Sequence, residues 1–160
     1  MACHGPQCNS QIPSLPSLAG QPKIFIENQL VLIREGLREV PQMKGMLDNV
    51  KDEELIALAN YFSAQTPVKA GNAPIDQAKY LRGQATAQKM LCGSCHLPTY
   101  VGQNQIPRLA GQQEEFLVLS LKQFRDNTAM TGRDPNMAAS VFGVKDPVIS
   151  DLAHYLTNFK

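Results

Sequence analysis

The sequence predicts an all-α fold of two tandem helical domains. Three observations support this prediction: the second half of the chain repeats the first, apolar residues in both halves recur at helical spacing, and neither half carries a strand pattern. A length of 160 residues suits one large domain or two small ones. The internal repeat favours two small ones.

Composition excludes several classes of protein. Hydrophobic residues make up 43% of the chain, yet no apolar stretch approaches the roughly 18–20 residues of a membrane span, which excludes an integral membrane protein. The formal net charge of +1 gives no electrostatic reason to expect nucleic acid as a partner. Aromatic residues make up only 6% of the chain, which is consistent with a non-peptide group completing two small cores.

One cysteine motif points to a specific chemistry. Residues 92–96 read Cys-Gly-Ser-Cys-His, the C-x-x-C-H signature of c-type haem attachment. Thiols at i and i+3 lie on one side of a helical turn and can form thioethers to the two vinyl groups of a porphyrin, while His96 can bind the iron. The alternatives are a redox pair, half of a zinc site, or chance. A redox pair normally sits in a βαβ setting, and a zinc site needs further ligands at suitable spacing.

The N-terminus repeats the end of this motif. Cys3 and His4 match Cys95 and His96, so the counterpart of Cys92 would lie one residue before Met1. The matches continue through the segments 15–21 and 106–112, Phe25 and Phe116, Leu30 and Leu121, Met43 and Met137, 50–52 and 144–146, and Tyr61 and Tyr155.

The first helix predicted after the histidine motif of each unit carries one apolar stripe. Ile26, Leu30, Ile33 and Leu37 form it in the first unit, and Leu117, Leu121 and Phe124 form it in the second. Arg34 and Arg125 are also equivalent, and they suit either neutralisation of haem propionates or a solvated helix face.

The last predicted helix of each unit has a marked start. Asp146 is expected as the N-cap with Pro147 at the first helical position, and acidic residues 52–54 mark the same start in the first unit. The predicted buried faces comprise Leu55, Leu58 and Phe62 in the first unit and Ile149, Leu152 and Leu156 in the second. His154 matches Asn60 and is expected at the surface.

A linker divides the two units. Residues 67–76 are rich in Pro, Gly and small residues and lack apolar periodicity. We therefore expect an N-terminal domain over 1–66 and a C-terminal domain over 77–160, the latter opening with a helix from about 77 to 91 that leads into the haem motif.

The repeat also selects among the six methionines. A Met thioether opposite His fills the iron coordination shell and favours electron transfer over oxygen activation. Only Met43 and Met137 occupy equivalent positions. Met46 and Met130 have no counterpart and are expected in packing or at the surface. Met90 lies directly before its own motif and is unsuited to the far side of the haem.

Taken together, these features resemble the cytochrome c4 family of periplasmic dihaem cytochromes. The likeness runs through nearly the whole chain and includes Cys-His-Gly-Pro at 3–6, Asn-Ser at 9–10, Leu-Ala-Gly-Gln at 18–21 and 109–112, the stretch 43–49, and Leu-Ala-x-Tyr at 58–61 and 152–155. The resemblance implies two all-helical cytochrome c-type domains, each wrapped around one covalently bound haem, packed about a pseudo-twofold axis.

The resemblance also implies roles for single residues, with two haem c groups and His/Met axial ligation. The resemblance implies that Cys3, Cys92 and Cys95 form the thioethers. It implies His4 and His96 as proximal ligands and Met43 and Met137 as distal ligands. The carbonyl oxygens of Pro16 and Pro107 are expected to accept a hydrogen bond from the two imidazole rings. Each proline can also serve as a turn former.

The sequence departs from the family pattern near its start. The first helix and first motif cysteine are missing, so we expect the polypeptide to extend upstream of Met1. Cys8 stands where the family usually has glycine, and a positive φ there would strain it. A free thiol is favoured over an intermolecular disulfide or a substitute haem anchor. Leu97 follows His96 where Gly5 follows His4, so the loops near the two haems differ.

The expected function is electron transfer in the periplasm, with no substrate chemistry. The expected partners are redox proteins: a cytochrome bc complex or a dehydrogenase as donor and a membrane-bound terminal oxidase as acceptor. Haem is attached by this motif after export, and the sequence shows no signal peptide. The alternatives are a dihaem subunit of a periplasmic dehydrogenase, such as a flavocytochrome c sulfide dehydrogenase, and a dihaem peroxidase with one exchangeable iron site.

Overall fold

The computed structural model describes residues 3–71, 74–126 and 134–159, and these residues form helices and loops without a strand. No helix among them is long and apolar enough to cross a membrane. Met130 lies outside the described residues. The helices are α1 Lys23–Arg34, α2 Asp52–Ser63, α3 Gln77–Lys89, α4 Cys92–His96, α5 Glu114–Arg125, α6 Pro135–Val141 and α7 Asp146–Thr157.

In the first unit, α1 packs against α2. Ile26 and Leu30 of α1 and Leu55 and Ala59 of α2 are buried in one cluster, as the apolar stripe predicts. The prediction was wrong for Leu37, which lies beyond α1 and is half exposed. The helix ends earlier because Gly36 adopts the left-handed conformation, with φ +68°.

In the second unit, α7 packs against both α3 and α5. Ile149, Leu152 and Leu156 are buried, and α3 confirms the helix expected from residue 77. The crossing of α3 and α7 is close: a Cβ added to Gly83 would lie 2.1 Å from the carbonyl oxygen of Asp151. The two helices can therefore approach this closely only because residue 83 has no side chain.

An aromatic cluster fills the rest of this crossing. Edge-to-face contacts join Tyr155 to Tyr80, Tyr100 and Phe159, with ring centroids 5.0 to 5.7 Å apart. Burial raises the pKa of the Tyr155 hydroxyl. Its repeat equivalent, Tyr61, is 42% exposed, so the two units differ most at this face.

The starts of α2 and α7 confirm the predicted acidic first turns but shift the cap by one residue. Asp146 is the first residue of α7, and Lys145 before it is the N-cap. Arg125 donates to the Val144 carbonyl and pairs with Asp146, and Arg34 makes the equivalent contacts to Val50 and Asp52 in the first unit. These arginines are largely covered and tie α1 to the start of α2 and α5 to the start of α7, so of the two roles that the sequence left open, a solvated helix face does not apply.

The two units meet through a pair of equivalent contacts. The Gln112 side chain accepts a hydrogen bond from the Ser17 amide and donates to the Ser17 carbonyl. Gln21 makes the same two bonds to Arg108, the repeat equivalent of Ser17. This reciprocity is the signature of a pseudo-twofold interface.

His154 is buried, contrary to the expectation that it lies at the surface. Only 7% of the residue is exposed; its Nδ1 contacts Glu114 at 2.9 Å, and its Nε2 accepts a hydrogen bond from the Asp76 amide at 3.1 Å. The sequence argument failed because α3 covers this face of α7, whereas its counterpart Asn60 on α2 is exposed. His154 therefore links the starts of α3 and α5 to α7.

We predict that His154→Ala destabilises the protein by about 2–4 kcal/mol, because it removes two hydrogen bonds and leaves a buried gap. The matched control is Asn60→Ala at the equivalent exposed position, which should change the free energy of unfolding by less than about 0.5 kcal/mol. Urea unfolding followed by circular dichroism measures both values. Equal effects of the two substitutions would contradict the linking role of His154.

Candidate haem-binding sites

The second cysteine motif forms the short helix α4. Cys92 and Cys95 lie three residues apart on this helix, Cys92 half-buried and Cys95 exposed. Burial raises the pKa of the Cys92 thiol. Leu91 precedes the helix in the left-handed conformation, with φ 55°, and so turns the chain sharply between α3 and α4. The helical spacing places both thiols along one side of the turn.

His96 closes this helix and points into the protein. It is buried, and its Nδ1 lies 2.8 Å from the carbonyl oxygen of Pro107. A carbonyl can only accept, so Nδ1 carries the proton and Nε2 keeps its lone pair in the neutral ring. Burial lowers the pKa of His96, opposed by its bond to the Pro107 carbonyl, and so favours this neutral form.

The first motif has the same hydrogen bond between a histidine ring and a proline carbonyl. The Nδ1 of His4 donates to the carbonyl oxygen of Pro16 at 2.9 Å, and the neighbouring Cys3 is exposed. Both histidines therefore present Nε2 as the ring atom available to a metal. The two proline carbonyls hold the positions that the sequence analysis assigned to them.

A loop after each histidine repeats an unusual backbone conformation. The Cys8 carbonyl accepts hydrogen bonds from the amides of Leu18 and Ala19, and the Tyr100 carbonyl accepts the equivalent pair. Cys8 and Tyr100 both have positive φ, 62° and 52°. The strain anticipated at Cys8 is therefore present. Its side chain is buried.

The two equivalent methionines pack against the core of their own unit. Met43 ends a 3₁₀ turn, Pro41–Met43, and contacts the first buried cluster, while Met137 lies on α6 and contacts the second. Met46 is exposed, as expected of a residue without a counterpart. Met90 contacts the second cluster from the end of α3.

The donor set fits a covalently bound haem. Each unit offers thiol, which can form a thioether to a porphyrin vinyl group, together with an imidazole of fixed tautomer and a methionine thioether, which are borderline and soft ligands suited to haem iron. Among the described residues no group of three or more His, Cys, Asp and Glu side chains is placed to hold a metal ion by itself. A closed zinc site built from such residues therefore has no support in the described part of the chain.

Comparison with known proteins identifies the family. Cytochrome c4 from Pseudomonas aeruginosa is 35% identical over 147 residues, covering 88% of this chain and 73% of that protein. The chain belongs to the cytochrome c4 family. It is therefore a dihaem c-type cytochrome that carries electrons and holds two haem c groups.

A solved structure agrees with this assignment. Reduced recombinant cytochrome c4 from Pseudomonas stutzeri superimposes with a TM-score of 0.90 at 29% identity, covering 99% of this chain and 92% of that one. The fold of the chain is accordingly that of cytochrome c4, with two tandem cytochrome c domains.

A further relative of the chain has a more specific description. A thiosulfate dehydrogenase electron acceptor from Thiomonas intermedia is 28% identical over 137 residues, covering 80% of this chain and 63% of that protein. No protein-family model matches the chain.

Sequence reasoning missed the residues that join the two haem sites. Gln21 and Gln112 appeared only as matched letters of the repeat, although each is buried at the interface between the units. A polar residue at the same place in both repeats, five residues after the proline assigned to the histidine, was the available signal. Tyr100 was missed because nothing local marks it as part of a distant aromatic cluster.

The position of Cys8 yields a prediction about thiol reactivity. Burial raises the pKa of its thiol, so less of the reactive thiolate forms at a given pH. We expect iodoacetamide at pH 8 to modify Cys8 at least about tenfold more slowly in the native protein than in urea. The signal is assigned by its loss in Cys8→Ser, followed by mass spectrometry of tryptic peptides. Rapid modification of native Cys8 would contradict its burial.

Proposed function

We propose that Cys92 and Cys95 bind one haem c through thioethers, with His96 as its proximal ligand, and that Cys3 and His4 serve the other. The observation that carries this proposal is the equivalence of the two histidines, each with Nδ1 on a proline carbonyl and Nε2 left for iron. The hydrogen bonds orient both rings and increase the donor strength of Nε2.

Met43 and Met137 are proposed as the distal ligands. Their equivalent places in the repeat and their packing against the two cores support the assignment. Bound haem would supply one-electron redox chemistry. Met43 and Met137 would hold its iron through their thioether sulfurs, which favours electron transfer over oxygen activation. A dihaem peroxidase would need one exchangeable position and is therefore not proposed.

The domains follow from the same assignment. We propose an N-terminal haem domain over residues 1–66, a linker over 67–76 and a C-terminal haem domain over 77–160. Two separate clusters of buried residues support this division, one drawn from residues 18–62 and the other from residues 80–159.

The proposed role is that of a periplasmic relay. It takes electrons from a cytochrome bc complex or a dehydrogenase and delivers them to a terminal oxidase. Membership of the cytochrome c4 family supports the carrier role. Attachment of haem through C-x-x-C-H motifs, which takes place after export, supports the location.

A second candidate is the haem subunit or direct acceptor of a periplasmic dehydrogenase acting on reduced sulfur compounds. The similarity to a thiosulfate dehydrogenase electron acceptor favours such a donor. The two roles differ in the lifetime of the complex. Co-purification of the tagged protein with a dehydrogenase subunit at high salt would favour the second, and purification as a free cytochrome would favour the relay.

Absorption spectroscopy tests the ligand assignment. We expect the pyridine haemochrome assay to give two haems per chain, and the oxidised protein to show the long-wavelength band of Met–iron ligation. Met137→Ala and Met43→Ala should each remove about half of that band and lower the reduction potential of one centre, because the thioether favours the ferrous state.

Met46→Ala is the matched control, because Met46 lies near Met43 in sequence but is exposed. It should leave the band and both potentials unchanged. One haem per chain, or full retention of the band in Met43→Ala or Met137→Ala, would refute the assignment.

A further inference from the structure

The peptide group between Pro16 and Ser17 is hydrogen-bonded through both its carbonyl oxygen and its N–H. Its carbonyl belongs to Pro16 and accepts from the His4 ring at 2.9 Å. Its N–H belongs to Ser17 and donates to the Oε1 of Gln112 at 2.8 Å. His4 and Gln112 come from different units, so a single peptide group connects the imidazole of one unit with a side chain of the other.

The second motif has the same arrangement with the units exchanged. The peptide between Pro107 and Arg108 accepts from the His96 ring at 2.8 Å and donates to the Oε1 of Gln21 at 2.9 Å. Each glutamine amide also donates back to the carbonyl of the residue it holds, at 2.9 Å in Gln112 and 3.0 Å in Gln21. Each glutamine therefore holds one residue, Ser17 or Arg108, at both its N–H and its C=O, which lie in successive peptide groups.

Burial makes these contacts effective. Gln21 and Gln112 are about 5% exposed, so water competes little for the peptide groups. Hydrogen bonds in a chain polarise one another in a medium of low dielectric constant. An N–H that donates to glutamine makes the carbonyl of its own peptide a stronger acceptor for the imidazole.

We propose that Gln21 and Gln112 are positioning residues that act across the domain interface, each setting the proximal imidazole of the opposite haem domain through one peptide group. Gln112 of the C-terminal unit acts on His4, and Gln21 of the N-terminal unit acts on His96. The inference rests on the proposed function, in which these two histidines bind iron.

The direction of the effect follows from electron density. A stronger acceptor at Nδ1 pulls the ring proton away and makes Nε2 a better donor, which favours ferric over ferrous iron. Removing the glutamine amide weakens that acceptor, so the potential of the opposite centre rises. A cooperative term of 10–30% of the net contribution of one hydrogen bond corresponds to a change of about 1.2- to 1.7-fold in the oxidised-to-reduced ratio.

The test uses the holoprotein and the variants Gln112→Met and Gln21→Met, which keep side-chain length and remove the amide. Redox titration followed by NMR of the haem methyl resonances reports each centre separately. In Gln112→Met the oxidised-to-reduced ratio of the His4 centre at a fixed potential should fall about 1.2- to 1.7-fold, while the His96 centre stays unchanged. Gln21→Met should give the reverse pattern.

The matched control is Gln113→Met. Gln113 is also buried and also crosses the interface, where its Nε2 donates to the Ser10 carbonyl at 2.6 Å and to neither peptide. Its backbone N–H, which the substitution keeps, donates to the Oε1 of Gln112 at 2.9 Å. This variant should leave both centres unchanged. Amide hydrogen exchange gives an independent readout: the Ser17 amide should exchange faster in Gln112→Met, and the Arg108 amide faster in Gln21→Met.

The proposal is overturned if Gln112→Met and Gln21→Met each shift the potential of the centre in their own domain, or if each shifts both centres equally. It is also overturned if Gln113→Met produces the same shifts. If Gln112→Met does not accumulate, Gln21→Met carries the test with the centres exchanged. Failure of the proposed function is distinct from these outcomes, because it would appear in the unmodified protein as missing haem or altered ligation.

Discussion

The hydrogen bond between a histidine ring and a proline carbonyl is the contact around which each unit is organised. It fixes the tautomer, so that one ring nitrogen is committed to the protein and the other is presented to a metal. The loop from histidine to proline is held in turn by the carbonyls of Cys8 and Tyr100, each accepting two successive amides. A backbone conformation that ordinary residues rarely adopt is thus maintained in both units, because the loop must bring the proline carbonyl back to the ring.

The repeated sequence does not produce two identical environments. In the C-terminal unit, α7 is covered by α3 and by the aromatic cluster around Tyr155, and His154 is drawn into a buried contact with Glu114. In the N-terminal unit the equivalent Tyr61 and Asn60 are exposed. Arg108, at the interface, stands where the first unit has Ser17, and its guanidinium pKa is lowered by burial. The two haem-binding units therefore differ in their electrostatic surroundings, which is a physical basis for unequal potentials.

Membership of the cytochrome c4 family explains why two such units share one chain. Electron transfer between two centres requires that they stay close and rigidly oriented, and buried hydrogen bonds join the two units. Because the bonds of Gln112 and Gln21 end on the peptides that carry the proline carbonyls, the contact between the units and the surroundings of His4 and His96 are parts of one network.

The sequence alone determined the all-α class, the duplication, the C-x-x-C-H motif and the amphipathic helices, since these depend on residue types at fixed local spacing. It also indicated the proline carbonyls, through a resemblance, and the acidic starts of α2 and α7. Only the tertiary structure decided the burial of His154 and the roles of Arg34 and Arg125, because each depends on which helix covers a given face. The end of α1 before Leu37 depends instead on the left-handed conformation of Gly36, which the apolar periodicity does not show. The pairing of Gln21 with Arg108 and of Gln112 with Ser17 joins residues about 90 positions apart, and no local pattern encodes a contact that exists only once two folded units dock.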